Sequence, residues 1–227
     1  MGAAECRAFD VGSKRYERAV AEPVGGGKRD PGLRLESGTG GISGCAKSRR
    51  LTCAFCIKVS ATLQRDHAGT LAKSNPKNAL AQARKVNDPW FRAQALSWVA
   101  RFTDGDPVAV ASEAAKAARE CEDDYKKSAV RSWEIAALAE RDCTTEARKS
   151  LSDALALGKG VEPMSSRSGA LFLLLQAAFR IGQDEAKGVY EILRASCPVE
   201  KHWRCKRAVR DGGKMIAGEL EPRPFFW

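Results

Sequence analysis

The sequence predicts an all-α protein whose main part, residues 76–220, is a stack of antiparallel helical hairpins, an α-solenoid of about three to four pairs. Three observations predict it. Alanine is abundant and aromatic residues make up only 7% of the chain, and alanine favours helix because it has no side-chain entropy to lose. From Pro76 onward, apolar residues recur at helical spacing between short breaker clusters. Related segments also return at a near-constant distance along the chain, the mark of stacked helix pairs. The hydrophobic fraction of 44% is ordinary for a globular domain, so a packed core is expected.

Residues 1–75 read differently. Gly25-Gly26-Gly27, Asp30-Pro31-Gly32 and Ser37-Gly38-Thr39-Gly40-Gly41 are closely spaced breakers with no apolar periodicity between them. Such a chain cannot bury enough surface to offset its conformational entropy, so a low-complexity, largely disordered N-terminal segment is expected. It is also the more basic part per residue. It holds 13 Lys/Arg and 7 Asp/Glu, a net of +6 within the chain's +10. Near its end, Leu51 to Leu63 reads as a short strand or helix, and Ala61 to Lys73 as a charge-poor helix.

The helices of the second part follow in order. Asn78 to Val86 carries alanine and leucine at helical spacing. Asn87-Asp88-Pro89 breaks it, with Pro89 suited to the first turn of the next helix, Trp90 to Thr103. Ala95, Leu96, Val99 and Ala100 form that helix's apolar stripe. Asp104-Gly105-Asp106-Pro107 ends it and starts Val108 to Glu120. Tyr125 to Glu140 reads as one further helix. Thr144 is the expected N-cap of a helix through Leu157, which Gly158-Lys159-Gly160 ends. Ser166 to Ile181, Asp184 to Ala195 and Lys201 to Glu219 complete the series, and residues 221–227 form a C-terminal tail.

Arg92-Ala-Gln-Ala-Leu-Ser-Trp-Val-Ala100 parallels Arg167-Ser-Gly-Ala-Leu-Phe-Leu-Leu-Leu175 at a spacing of 75, with Ser128 to Ala136 between them. Ala109, Ala147 and Ala186 recur at steps of 38 and 39. This pattern over residues 76–220 resembles degenerate tetratricopeptide-like repeats of bacteria. The Trp, Leu-Gly and Tyr signature of the first helix is absent as a unit, and the period is longer than that family's roughly 34 residues. The resemblance implies a non-enzymatic, protein-binding scaffold whose first-type helices line a concave groove. Aromatic and arginine residues there are typical anchors for a partner protein or peptide. Trp98, Arg101, Arg131, Glu134, Gln176 and Arg210 are the expected partner-binding residues, with core packing the competing explanation for the tryptophans Trp98 and Trp133.

Other chemistry finds less support. Cys53-Ala-Phe-Cys56 is the sharpest local motif, and a zinc- or redox-active protein is one alternative. A redox motif needs a strand before it and a helix after it, and none is visible. A zinc site needs two further ligands, for which Cys45 and His67 are the candidates at an unusual spacing. No metal site or cofactor is therefore expected. The chain has only two histidines, His67 and His202, and no serine or cysteine lies in a recognisable nucleophile context, so no catalytic residue is assigned. A second alternative is nucleic-acid binding through the basic N-terminal segment and the helix bearing Arg204, Lys206, Arg207, Arg210 and Lys214. The competing explanation is a terminal helix with a solvated outer face.

The most apolar stretch, Gly169 to Ile181, contains Gln176 and Arg180 and is too short to span a bilayer. Met1 to Asp10 contains Glu5 and Asp10 and no apolar run. A cytoplasmic protein with mostly reduced cysteines is expected, with Cys121 and Cys143 as small packing residues and Cys197 and Cys205 close across a helix-to-helix turn. Pro222-Arg-Pro-Phe-Phe-Trp227 is apolar for an exposed end. It folds back on the last hairpin or serves as a docking peptide.

Overall fold

The computed structural model describes residues 54–198 and 202–226, with side chains from Ser60 onward. Every regular element among them is a helix. In chain order these are α1 (Ala54–Ala72), α2 (Pro76–Ala83), α3 (Pro89–Phe102), α4 (Pro107–Arg119) and α5 (Asp124–Ala129). They continue as α6 (Arg131–Ala139), α7 (Thr144–Gly158), α8 (Met164–Ile181), α9 (Gln183–Ser196) and α10 (Trp203–Ile216).

Three helices start by the same local device. Asn75, Asp88 and Asp106 are N-caps followed directly by Pro76, Pro89 and Pro107. The Asp88 carboxylate accepts the N–H groups of Trp90 (2.9 Å) and Phe91 (3.3 Å), and Asp106 does the same for Val108 (2.8 Å) and Ala109 (3.2 Å). The proline adds a preset φ at a position whose N–H has no helical partner anyway.

Consecutive helices pack as pairs, and the pairs pack in sequence. α3 lies against α1, α2, α4 and α6; α6 against α3, α4, α7 and α8; α8 against α6, α7, α9 and α10. The consequence is visible in burial. Ala93 to Ala100 of α3 and Arg131 to Leu138 of α6 are buried without a break. The flanking helices bury one stripe each: Ala147, Leu151, Ala154 and Gly158 on α7, and Ala186, Val189 and Leu193 on α9. Alanines in these contacts bring backbones close. Val99, Ile135, Leu138, Leu171, Leu174, Leu175 and Leu193 then fill the space between, all at most 2% exposed. Each such leucine or isoleucine contributes about 1.5–3 kcal/mol by leaving water.

The repeated sequence segments do the same structural work. Arg92 donates to the carbonyl of Val86 (3.2 Å) and Arg167 to that of Val161 (3.0 Å), each reaching back six residues to a buried valine. The two arginines also pair with Glu120 and Glu162 respectively.

Several boundaries differ from expectation. The packed helices begin at Ala54 rather than near residue 76. α1 contains the helix expected from Ala61 to Lys73 and starts earlier, with Ala61, Ala68 and Ala72 in its described buried stripe. Gly69 admits the Trp98 indole, whose Cδ2 lies 3.2 Å from where a Cβ would stand. The helix expected from Tyr125 to Glu140 is interrupted at Val130, where the Trp133 N–H bonds the Val130 carbonyl three residues back (3.2 Å). Thr144 is not an N-cap. Cys143 holds that position, with no side-chain cap bond.

Candidate functional site

The site begins with a helix ending. After Ile216 the chain closes α10 with Gly218 at φ +77°. The Gly218 N–H bonds the Met215 carbonyl (3.1 Å) and the Glu219 N–H bonds that of Lys214 (2.8 Å). These are the two bonds of a Schellman ending, which needs a left-handed residue where glycine carries no Cβ penalty. The turn sends residues 221–226 back across the helices. Pro222 and Pro224 keep them extended, because proline fixes its own φ and biases the preceding residue away from helix.

This extended segment lies against α3, α6 and α8. Phe225 is 0% exposed and meets Trp133 edge-on, with ring centroids 5.4 Å apart. Phe226 meets Trp98 edge-on at 5.2 Å, and the Arg101 guanidinium stands 5.8 Å from its ring. The Arg223 guanidinium lies 5.4 Å from the Trp133 ring. Both edge-to-face and cation–π contacts suit the negative face of an aromatic ring. The backbone is held as well. The Arg223 N–H donates to Gln176 Oε1 (3.3 Å), and Arg180 donates to the Arg223 carbonyl (3.2 Å). Gln176 is oriented for this because its Nε2 donates to the Phe172 carbonyl (3.2 Å). Arg101 pairs with Glu140, and Arg180 lies 4.0 Å from the same carboxylate, so one acid at the end of α6 steadies two arginines that contact the tail.

Of the six residues expected to line a groove, Trp98, Arg101 and Gln176 contact this segment. Arg131 and Glu134 lie elsewhere, on the side of α6 that faces α4 and α7. Their side chains are 7% and 3% exposed and bond each other at 3.1 and 3.2 Å. Ser150 donates to Glu134 at 2.6 Å, and Asp153 stands 3.9 Å from Arg131. They form the floor of a cavity of about 340 Å³ rimmed by Lys116, Arg119, Glu146 and Lys149. Arg210 is exposed on α10 and pairs with Asp211 at 2.8 Å. Arg180 was missed, although it follows Gln176 by one helical turn and shares its face. The tail folds back, but beyond the last hairpin.

A concave feature lies between α5, α8 and α10. Tyr125, Ser166, Phe172, Trp203, Arg204 and Arg207 are among the residues lining a cavity of about 400 Å³. Trp203 is 62% exposed, and the Arg204 guanidinium lies 5.5 Å from its ring. His202 caps α10 by accepting the Arg204 N–H on Nδ1 (3.1 Å).

Among the described residues no group of three or more His, Cys, Asp or Glu is placed to hold a metal ion. His67 is exposed on α1. Cys45 and Cys53, and the side chain of Cys56, lie outside the described residues. Cys121, Cys197 and Cys205 are buried free thiols. Burial pushes the Cys121 thiol up to about 11, helped by the nearby Asp88 carboxylate. Burial also pushes Cys197 up to about 11, with the neighbouring Cys205 thiol adding to it. Neither behaves as an activated nucleophile, which requires a depressed thiol. Cys143, expected as a small packing residue, is buried but disulfide-bonded. Among the described residues no helix is long and apolar enough to cross a membrane.

No protein-family model, no curated protein and no solved structure matches the chain.

Proposed function

We propose that the chain is a non-enzymatic interaction scaffold of tetratricopeptide-like, α-solenoid character, which holds an extended segment of a partner protein across α3, α6 and α8. One observation carries this reading: an extended aromatic peptide, residues 222–226, already lies there, with rings and backbone both received. The floor is aromatic and the polar groups converge on a peptide backbone, the arrangement expected of a peptide-recognition surface. The regular Asp-Pro starts and the repeated Val86–Arg92 and Val161–Arg167 contacts support the repeat character.

The test is selection of peptides from a displayed library on full-length Phe225→Ala/Phe226→Ala, which loosens the tail, followed by binding to the same chain with Gln176→Leu or Arg180→Ala added. Peptides that bind the loosened chain and lose affinity about tenfold on these additions support the groove, a loss expected when a charged or buried hydrogen bond to backbone is removed. Selected peptides indifferent to both changes would sink it.

A second reading rests on α10. Arg204, Lys206, Arg207, Arg210 and Lys214 are exposed there beside Trp203 and the cavity of about 400 Å³. Phosphates with a stacking base are the chemistry that surface suits. RNA or DNA binding that weakens steeply between low and moderate salt supports it, and no binding at low salt removes it.

A further inference from the structure

We infer that residues 221–226 are a resident pseudo-ligand. The natural partner of the groove is then an extended segment of another protein carrying an arginine followed two and three positions later by aromatic residues. The inference rests on the peptide-groove reading above and adds the ligand's chemistry and its regulation.

Three features carry it. First, the tail is enclosed at one residue and open at its neighbours. Arg223 and Pro224 are exposed and Phe226 is half-buried, while only Phe225 is enclosed. Release of the tail withdraws that one ring from the core. Second, recognition divides into parts that any extended chain satisfies and parts that demand particular side chains. Gln176 and Arg180 read only backbone groups of Arg223. Trp133 and Trp98 each meet one aromatic ring of the tail at a steep angle, and Trp133 also meets a guanidinium. The demanded pattern is therefore arginine, a spacer, then two aromatics. Third, the tail is tethered by a short turn from α10, Ala217 to Leu220. A tethered ligand works at an effective concentration on the order of millimolar. A segment in trans with equal contacts is held off until the tail loosens, and its apparent dissociation constant rises by the inverse of the open fraction.

The probe is a fluorescein-labelled synthetic peptide of residues 221–227, titrated into full-length protein and read by anisotropy. The native chain, full-length Phe226→Ala and full-length Phe225→Ala/Phe226→Ala are compared. Circular dichroism and thermal unfolding establish that each is folded. Apparent affinity should rise in that order, by at least about tenfold between native and double variant, as the open fraction grows. Probes with Arg223→Ala or Phe225→Ala should bind the double variant at least about tenfold more weakly than the parent probe, since hot-spot aromatic and arginine anchors dominate such contacts. If the double variant does not fold, native against Phe226→Ala carries the test, with about threefold expected because only one of the two rings is removed. Equal affinity for native and loosened chains overturns the resident-ligand inference.

The loosened chain is also offered the displayed library. If it ignores the tail probe but takes other peptides through Gln176 and Arg180, the inference here is overturned and the groove reading stands. If it takes neither, both fall.

Discussion

α3, α6 and α8 differ from α4, α7 and α9 in what surrounds them. The first three are covered on nearly every side by neighbouring helices, and the tail lies on the face that the helices leave. Of the second three, α7 and α9 bury one stripe each and α4 a broader face, and the rest of each helix faces water. Composition follows the packing order: α3, α6 and α8 carry two charged residues each, whereas α4, α7 and α9 carry three to five. On the buried rows most polar groups are partnered, the Ser132 hydroxyl on α6 being an exception. An outer row tolerates almost anything outside its stripe.

The largest expected effect is at the buried ion pair of α6. Arg131→Met alone should destabilise by about 3–5 kcal/mol, because it leaves the Glu134 carboxylate buried without its partner. Arg131→Met/Glu134→Leu should recover most of that loss, since apolar replacements of a buried pair are often neutral. Urea unfolding of the two variants measures the difference. Equal destabilisation by single and double variants would mean the site depends on shape, not charge.

On the outer row the stripe should matter and its flanks should not. A Cβ at Gly158 would stand 2.9 Å from Ser128 Oγ and 3.3 Å from Leu171 Cδ2. Gly158→Val should therefore cost about 1–3 kcal/mol by overpacking. Lys187→Ala, on the exposed face of α9, should stay within about 0.5 kcal/mol of native. If the two variants unfold alike, the stripe description of these helices is wrong.

The helix starts give an intermediate effect. Asp106→Ala removes two bonds to N–H groups of α4 and should cost about 1 kcal/mol, with Asp106→Asn recovering part of it. Thr144→Ala should cost less than Asp106→Ala, because no side-chain cap bond is present at α7. Thermal unfolding of the three variants compares them.

The smallest effect concerns pH. Hydrogen bonding to Arg84 lowers the Glu113 carboxyl below its usual 4.5, and hydrogen bonding to Arg148 does the same for Glu185. A carboxyl depressed on folding contributes stability that is full above its unfolded value. That stability is lost as pH falls through the lower folded value. The pairs join α4 to the end of α2 and α7 to α9, and they are largely exposed and screened. Glu113→Gln/Glu185→Gln should thus unfold slightly more easily than native at pH 7. The difference should vanish in urea titrations well below pH 4.5.

Much of the helix order was legible because its signals are local. Asp88-Pro89 and Asp106-Pro107 announce helix starts without tertiary context, and Gly182 and Pro198 fall at boundaries. The interruption at Val130 was not legible, since no proline or glycine marks it. Most of α1 was legible as the helix expected from Ala61 to Lys73, but its start at Ala54 was not. The site was legible in part. Trp98, Arg101 and Gln176 share the face that holds the tail, whereas Arg131 and Glu134 were grouped with them although they point to the opposite side of α6. A helical spacing places residues on a face, but only packing decides which neighbour that face meets. Arg180 was missed because its partner is a backbone carbonyl 43 residues later, a contact no local pattern encodes.

The most direct test of the central claim is nuclear Overhauser contact and amide exchange in the full-length native chain, before and after saturation with the unlabelled peptide of residues 221–227. Contacts from the Phe225 ring to Trp133 and from the Phe226 ring to Trp98 are expected, with a protected Arg223 amide. On saturation the protein's own Arg223 amide should become fast-exchanging while α3, α6 and α8 stay protected. A tail with no such contacts in the free protein, or one that stays protected while the peptide binds elsewhere, would contradict it.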